Sequence, residues 1–129
     1  MDRERFGKQL NFILEIDKEK QILRQTHIRG YSRQEDDAEH AWHMAVMAFL
    51  LQEYSNEKID IGRTMLMLLI HDLVEIDAGD TYAYDAEANK TKDEREHKAA
   101  ERIYGLLPED QGKMLMDLWL EFEAYETPE

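Results

Sequence analysis

The stretch Thr64–Asp80, TMLMLLIHDLVEIDAGD, leaves this chain few ways to fold. Met65 to Ile70 is an unbroken apolar run, and Leu73, Val74 and Ile76 extend it. A run of that kind has to be buried, and it predicts a central helix from Ile61 to about Ile76, with Asp60 as N-cap and Gly79 ending it. Three polar groups, His71, Asp72 and Glu75, stand inside it. An unpaired buried carboxylate is costly enough that a buried Asp normally has a cation or a metal beside it. His71 and Glu75, four apart, share one helical face. Asp72 is rotated by about 100° from His71, so both can reach a cation at the rim of that face. The stretch reads as the centre of a metal site. On this triad alone the blander alternative, a core histidine bonded to a neighbouring Asp at a helix edge, stays open.

The preceding segment bears on that choice. Ala38 to Tyr54 is strongly apolar and reads as a second central helix, with Trp42 in the core. Ser32–Glu35 has the spacing of a capping box, and Asp36 or Asp37 could also cap it. His40 and His43 near its start share a face. Antiparallel packing of the two helices can bring His40 to His71 and Asp72, an N,N,O set with open positions for water and substrate. His43 reads as structural or as a supporting residue, and His27 and His97 as surface residues.

The remaining segments also read as helices. Phe6, Leu10, Ile13 and Leu14 give residues 3–15 an amphipathic spacing, which continues or restarts through DKEKQILRQ before a polar loop at Thr26–Asp37. Asp80–Lys92 reads as a loop of functional length. Thr91–Glu94 resembles a capping box for a helix through Tyr104 that Gly105 terminates. Pro108 suits the first turn of a last helix to about Tyr125, burying Met114, Leu115, Leu118, Trp119 and Phe122. Good helix formers dominate, and 43% hydrophobic residues suffice for one core. The expectation is a single all-α domain over residues 1–129, a compact bundle of five or six helices.

A net charge of −13 argues against nucleic acid or an anionic membrane as partner, both of which call for a basic surface. With no cysteine, any metal must be held by His, Asp and Glu, which suits Mn, Co, Fe, Ni or Zn. The charged N-terminus lacks the apolar core of a signal peptide, so a cytoplasmic location is expected.

The pattern AEHAWH followed by HDLVEIDAGDT resembles the HD-domain metal-dependent phosphohydrolases, most of all the branch that includes the 5′-deoxynucleotidases. The resemblance runs from about residue 10 to the end. It implies His40, His71 and Asp72 as metal ligands. Glu75 matches the acid just after the doublet, and Asp80 the Asp assigned to nucleophile activation or leaving-group protonation. Arg24 falls near the position of a phosphate-contacting Arg, with Arg33 and Lys92 as weaker candidates for the same task. The family pattern has one further ligand, an Asp downstream of a segment like EFEAYETPE, and this sequence stops at Glu129 before reaching it. The expectation is therefore a chain lacking its C-terminal helix or helices, which retains metal weakly and has low or no activity.

The chemistry so implied is hydrolysis of phosphate monoesters, above all nucleoside 5′-monophosphates, with one divalent ion (Mn, Co, Fe, Ni, Zn or Mg). Tyr82 and Tyr84 could stack on a base or simply pack against the helices. The alternatives are a phosphodiesterase or nucleoside triphosphate hydrolase on the same site, a nonenzymatic metal-binding helical module, and a metal-free interaction domain. The lack of a second His-rich cluster argues against a binuclear phosphodiesterase. Retention of Glu75 and Asp80 argues for catalysis, because a structural metal site needs neither. The behaviour of relatives makes a homodimer an expectation too.

Overall fold

The chain turns from α1 (Arg3–Ile16) through a 3₁₀ turn (Asp17–Gln21) into a short antiparallel hairpin, β1 (Leu23–His27) with β2 (Gln34–Asp36). Four longer elements follow: α2 (Asp37–Leu51), α3 (Ile61–Ile70), α5 (Lys92–Tyr104) and α6 (Glu109–Ala124), with the single turn α4 (Glu75–Ala78) between α3 and α5. The structure, a computed structural model, describes residues 1–27, 33–79 and 91–129, the side chains of 25–27 excepted. Among these the architecture is the expected helical bundle, with one small sheet added. Asp80, Tyr82, Tyr84, Ser32 and the side chain of His27 lie outside the described residues.

The core is built by α3, α5 and α6. Met67 and Ile70 of α3, Leu73 and Val74 just beyond it, Ala99, Ala100, Ile103 and Tyr104 of α5, and Leu115, Leu118 and Trp119 of α6 form one cluster, and Phe12 of α1 closes it. α2 lies mainly against α3, which is what brings the two histidine-bearing segments together. Asp60 caps α3 as expected, its carboxylate accepting from the Arg63 amide.

The central helix is shorter than its apolar run suggests. α3 stops at Ile70, and residues 71–74 form a turn with i→i+3 bonds: the Leu73 amide donates to Ile70 O at 3.2 Å and the Glu75 amide to Asp72 O at 3.0 Å. Side chains take the carbonyls that a longer helix would use. His71 Nδ1 lies 2.6 Å from Leu68 O, and the Tyr104 hydroxyl donates to Ile70 O at 2.8 Å. Hydrophobic periodicity is blind to this, because Leu73 and Val74 are buried on either path.

Several other expectations are corrected. The hairpin replaces the helical continuation through ILRQ and part of the polar loop; backbone pairing of Leu23 with Asp36 and His27 with Gln34 sustains it without an alternating pattern. The capping box of α2 is Asp36 with Glu39, not Ser32 with Glu35. Thr91 precedes α5 without a side-chain cap bond, and Pro108 is the N-cap of α6, not its first turn. In α1 the buried residue is Phe12, while Phe6, Leu10, Ile13 and Leu14 are exposed. Trp119 is core, but Trp42 is 63% exposed, on an α2 surface with Phe49 and Leu50 that no described element covers. Met114 is exposed as well. Apolar spacing alone cannot say which side of such a helix meets the bundle.

Candidate metal centre

His40 belongs to the first turns of α2, His71 to the residue after α3, and Asp72 to the turn that follows. Each offers one ligand atom, and these atoms lie within 4.8 Å of one another. The His40 and His71 ring centroids are 6.4 Å apart. The helix–turn geometry therefore assembles the three residues that the sequence singles out, from two elements distant along the chain.

Each ring is held by its other nitrogen. His40 Nδ1 is 3.2 Å from the Glu35 carboxylate on β2, and His71 Nδ1 is bonded to Leu68 O. Proton placement that satisfies both bonds leaves Nε2 of each ring for a cation. His71 Nε2 already faces Asp72 Oδ1 at 3.1 Å, and Phe122 packs on the His71 ring with centroids 4.4 Å apart. Two imidazoles and a carboxylate of this kind fit a first-row divalent ion.

Charge pairing tunes the three groups differently. Burial and the neighbouring Arg24 charge lower the His40 pKa, so the ring is neutral and ligand-ready at neutral pH. Burial lowers the His71 pKa too, but the bond and charge of Asp72 and the Leu68 carbonyl outweigh it, and the net direction is up. Burial raises the pKa of Asp72, which His71, Arg24 and His40 more than offset; it stays an anion.

Arg24 reaches the centre from β1. Its Nη1 is 3.3 Å from Asp72 Oδ2 and 3.6 Å from Asp37 Oδ1, and its Nε is 3.8 Å from Glu35 Oε1. Glu75 lies beside Asp72: Asp37, Asp72 and Glu75 form a second set of carboxylates within 4.8 Å of each other. Arg24, His71, Asp72 and Glu75 line a cavity of about 350 Å³ together with Lys92, Glu96, Phe122 and Tyr125. Two larger depressions, about 650 and 550 Å³, lie along α5, α6 and the start of α1 and contain none of the ligand set.

Of the weaker phosphate-binding candidates, Lys92 reaches the cavity and Arg33 does not. Arg33 is half-exposed or more and spends its guanidinium on Glu39, outside the residues that line the cavity. Lys92 lines the cavity and is 3.7 Å from Glu96. His43 is exposed and stacks on Trp42, and His97 pairs with Glu101 on the surface.

Sequence reasoning missed Glu35, Asp37 and Glu19. The first two were legible only as capping residues, and Glu19 sits in a charged run that looks solvated. Glu19 is in fact buried in the 3₁₀ turn. Burial, and then the charges of Asp37 and Asp72, push its pKa from 4.5 up to about 7. A carboxyl whose pKa rises on folding binds more protons in the native state, so its cost is absent below the unfolded value and complete above the folded one. Glu19→Gln is therefore expected to stabilise the metal-free protein by on the order of 1–3 kcal/mol at pH 8 and negligibly at pH 4. Paired thermal melts at the two pH values test this, and equal effects at both would sink it.

Comparison with known proteins gives concordant results. The sequence profile of the HD domain family matches residues 16–129. The human protein named 5′-deoxynucleotidase HDDC2 is 34% identical over 101 residues, 78% of this chain and 48% of its own length. Its Dictyostelium discoideum counterpart is 30% identical over 105 residues, 55% of its own length. A crystal structure from Magnetospirillum magnetotacticum, named a predicted metal-dependent phosphohydrolase, superposes with a TM-score of 0.89 at 56% identity, over 96% of this chain and 62% of that one. The chain thus spans about half the length of the curated relatives it matches.

Proposed function

Because the chain belongs to the HD domain family, we propose that it is a metal-dependent hydrolase of phosphate monoesters, with nucleoside 5′-monophosphates as the substrate class. The observation that carries this reading is the convergence of His40, His71 and Asp72 with an arginine, Arg24, against the same carboxylate. The names of the curated relatives support the nucleotide part of it.

His40, His71 and Asp72 would hold one divalent ion, which when bound neutralises phosphoryl charge and acidifies a water. The chain's own groups do the rest. Hydrolysis joins a water oxygen to phosphorus, breaks the ester P–O bond and sends a proton to the departing alcohol. Arg24, a planar donor beside Asp72, clamps non-bridging phosphoryl oxygens. Glu75, next to Asp72, orients the water and takes its proton. Asp80 is proposed for the opposite side, at the leaving oxygen. Arg33 keeps at most a peripheral role in binding substrate, because Glu39 engages it.

No described helix is long and apolar enough to cross a membrane. A cytoplasmic location is part of the proposal, as is a homodimer, for which the exposed Trp42, Phe49 and Leu50 offer a surface.

The test is a panel of deoxynucleoside and ribonucleoside mono-, di- and triphosphates and a cyclic nucleotide, each with Mn, Co, Mg or Zn. Metal-dependent release of phosphate from monophosphates, weak in this 129-residue chain and absent without metal, is the expected result. Turnover confined to cyclic nucleotides or triphosphates would replace this reading with another phosphohydrolase chemistry.

A further inference from the structure

Arg24 raises a problem of charge. A guanidinium 3.3 Å from Asp72 Oδ2 shares that carboxylate with whatever cation His40 and His71 hold. The group is largely withdrawn from water, its side chain being 24% exposed, so solvent screens it poorly. Two like charges competing for one carboxylate weaken each other's binding. An oxyanion lying between them reverses the sign, because it attracts both.

The second observation is Asp37. It is 0% exposed, at the first residue of α2, and its Oδ1 is 3.6 Å from the same Arg24 nitrogen. No other described residue of the cluster is so completely buried. A carboxylate at such a place offsets the guanidinium from the protein interior and shares it with Asp72.

We propose that Arg24 and Asp37 form a charge-balancing pair, Asp37 being the positioning residue. The pair sets how tightly the His40–His71–Asp72 cluster holds a divalent cation and couples that affinity to an oxyanion of the phosphate class. Arg24 competes with the cation when no anion is present and cooperates with it when one is. Asp37 limits the competition by retaining part of the guanidinium's charge. The coupling is reciprocal, so the cation tightens phosphate by the factor by which phosphate tightens the cation. This rests on the metal-centre reading above.

The experiment is titration calorimetry of the full chain with Mn²⁺, with and without inorganic phosphate, on wild type, Arg24→Gln, Asp37→Asn and the double variant, each checked for folding by circular dichroism. Without phosphate, Arg24→Gln is expected to bind Mn²⁺ more tightly by about tenfold and Asp37→Asn more weakly by a similar factor. The double variant, with both charges removed, is expected within about threefold of wild type. Phosphate is expected to tighten Mn²⁺ about tenfold in wild type and far less wherever Arg24 is absent. A gain in metal affinity on deleting a site residue is not what a merely structural role produces.

Should Arg24→Gln fail to fold around the buried Asp37, the double variant decides: retained full phosphate coupling there overturns the proposal. Arg24→Gln that folds and binds Mn²⁺ no more tightly than wild type also overturns it, leaving the metal-centre reading intact. Wild type that binds no Mn²⁺ under either condition overturns both.

Discussion

Asp72→Ala is expected to abolish the proposed metal-dependent hydrolysis while leaving the helical fold in place. Loss of residues that merely orient metal ligands costs about 10–100-fold in affinity or activity, so loss of a proposed ligand is expected to exceed that, by about a thousandfold in kcat/KM. Asp72 Oδ1 lies 3.1 Å from His71 Nε2 and Oδ2 pairs with Arg24, so alanine removes a carboxylate oxygen from the cluster and also the anion that engages Arg24. The residue lies in the turn beyond α3, and the packing there belongs to its neighbours Leu73 and Val74. Far-ultraviolet circular dichroism should therefore be unchanged. Mn²⁺ titration and a monophosphate assay on the same preparation check the claim, and retained metal affinity in the variant would show that the ligand set is wrong.

One residue further on, the expected result is the reverse. Leu73 is 2% exposed and sits in the cluster with Ile70, Ile103 and Leu118. Leu73→Ala removes buried methyl groups and leaves a cavity that the surrounding helices fill only in part, costing about 2–5 kcal/mol. Against a total stability on the order of 5–15 kcal/mol, that is a large fraction. Urea unfolding followed by circular dichroism should show a lower midpoint at an unchanged slope. Metal affinity should fall only as far as the folded fraction does. A variant as stable as wild type would mean that the turn is loosely packed.

The two adjacent positions also show what was legible in the sequence. Polar groups inside an apolar run announce a site, and His40, His71 and Asp72 do converge. The Asp60 cap is equally plain, because its chemistry is local. The break of the central helix is not legible, since it depends on the Tyr104 hydroxyl arriving from α5, 34 residues away. The hairpin at Leu23–Asp36 has no alternation to betray it. Glu35 and Asp37 look like the acids that open any helix, and only the folded chain shows one on His40 and the other on Arg24. Trp42 misled for a related reason: α2 is apolar on nearly every face, so its composition does not say which side the bundle covers.

The early stop of α3 has an electrostatic consequence. An α-helix carries the equivalent of roughly half a negative charge at its C-terminal end, and the effect fades within a turn. By ending at Ile70, α3 delivers that end to His71 and Asp72. Had the helix run on to Ile76, the macrodipole would have terminated more than a turn beyond His71 and Asp72. Cutting it short lets the backbone itself favour a positive ion at the point where the side chains gather.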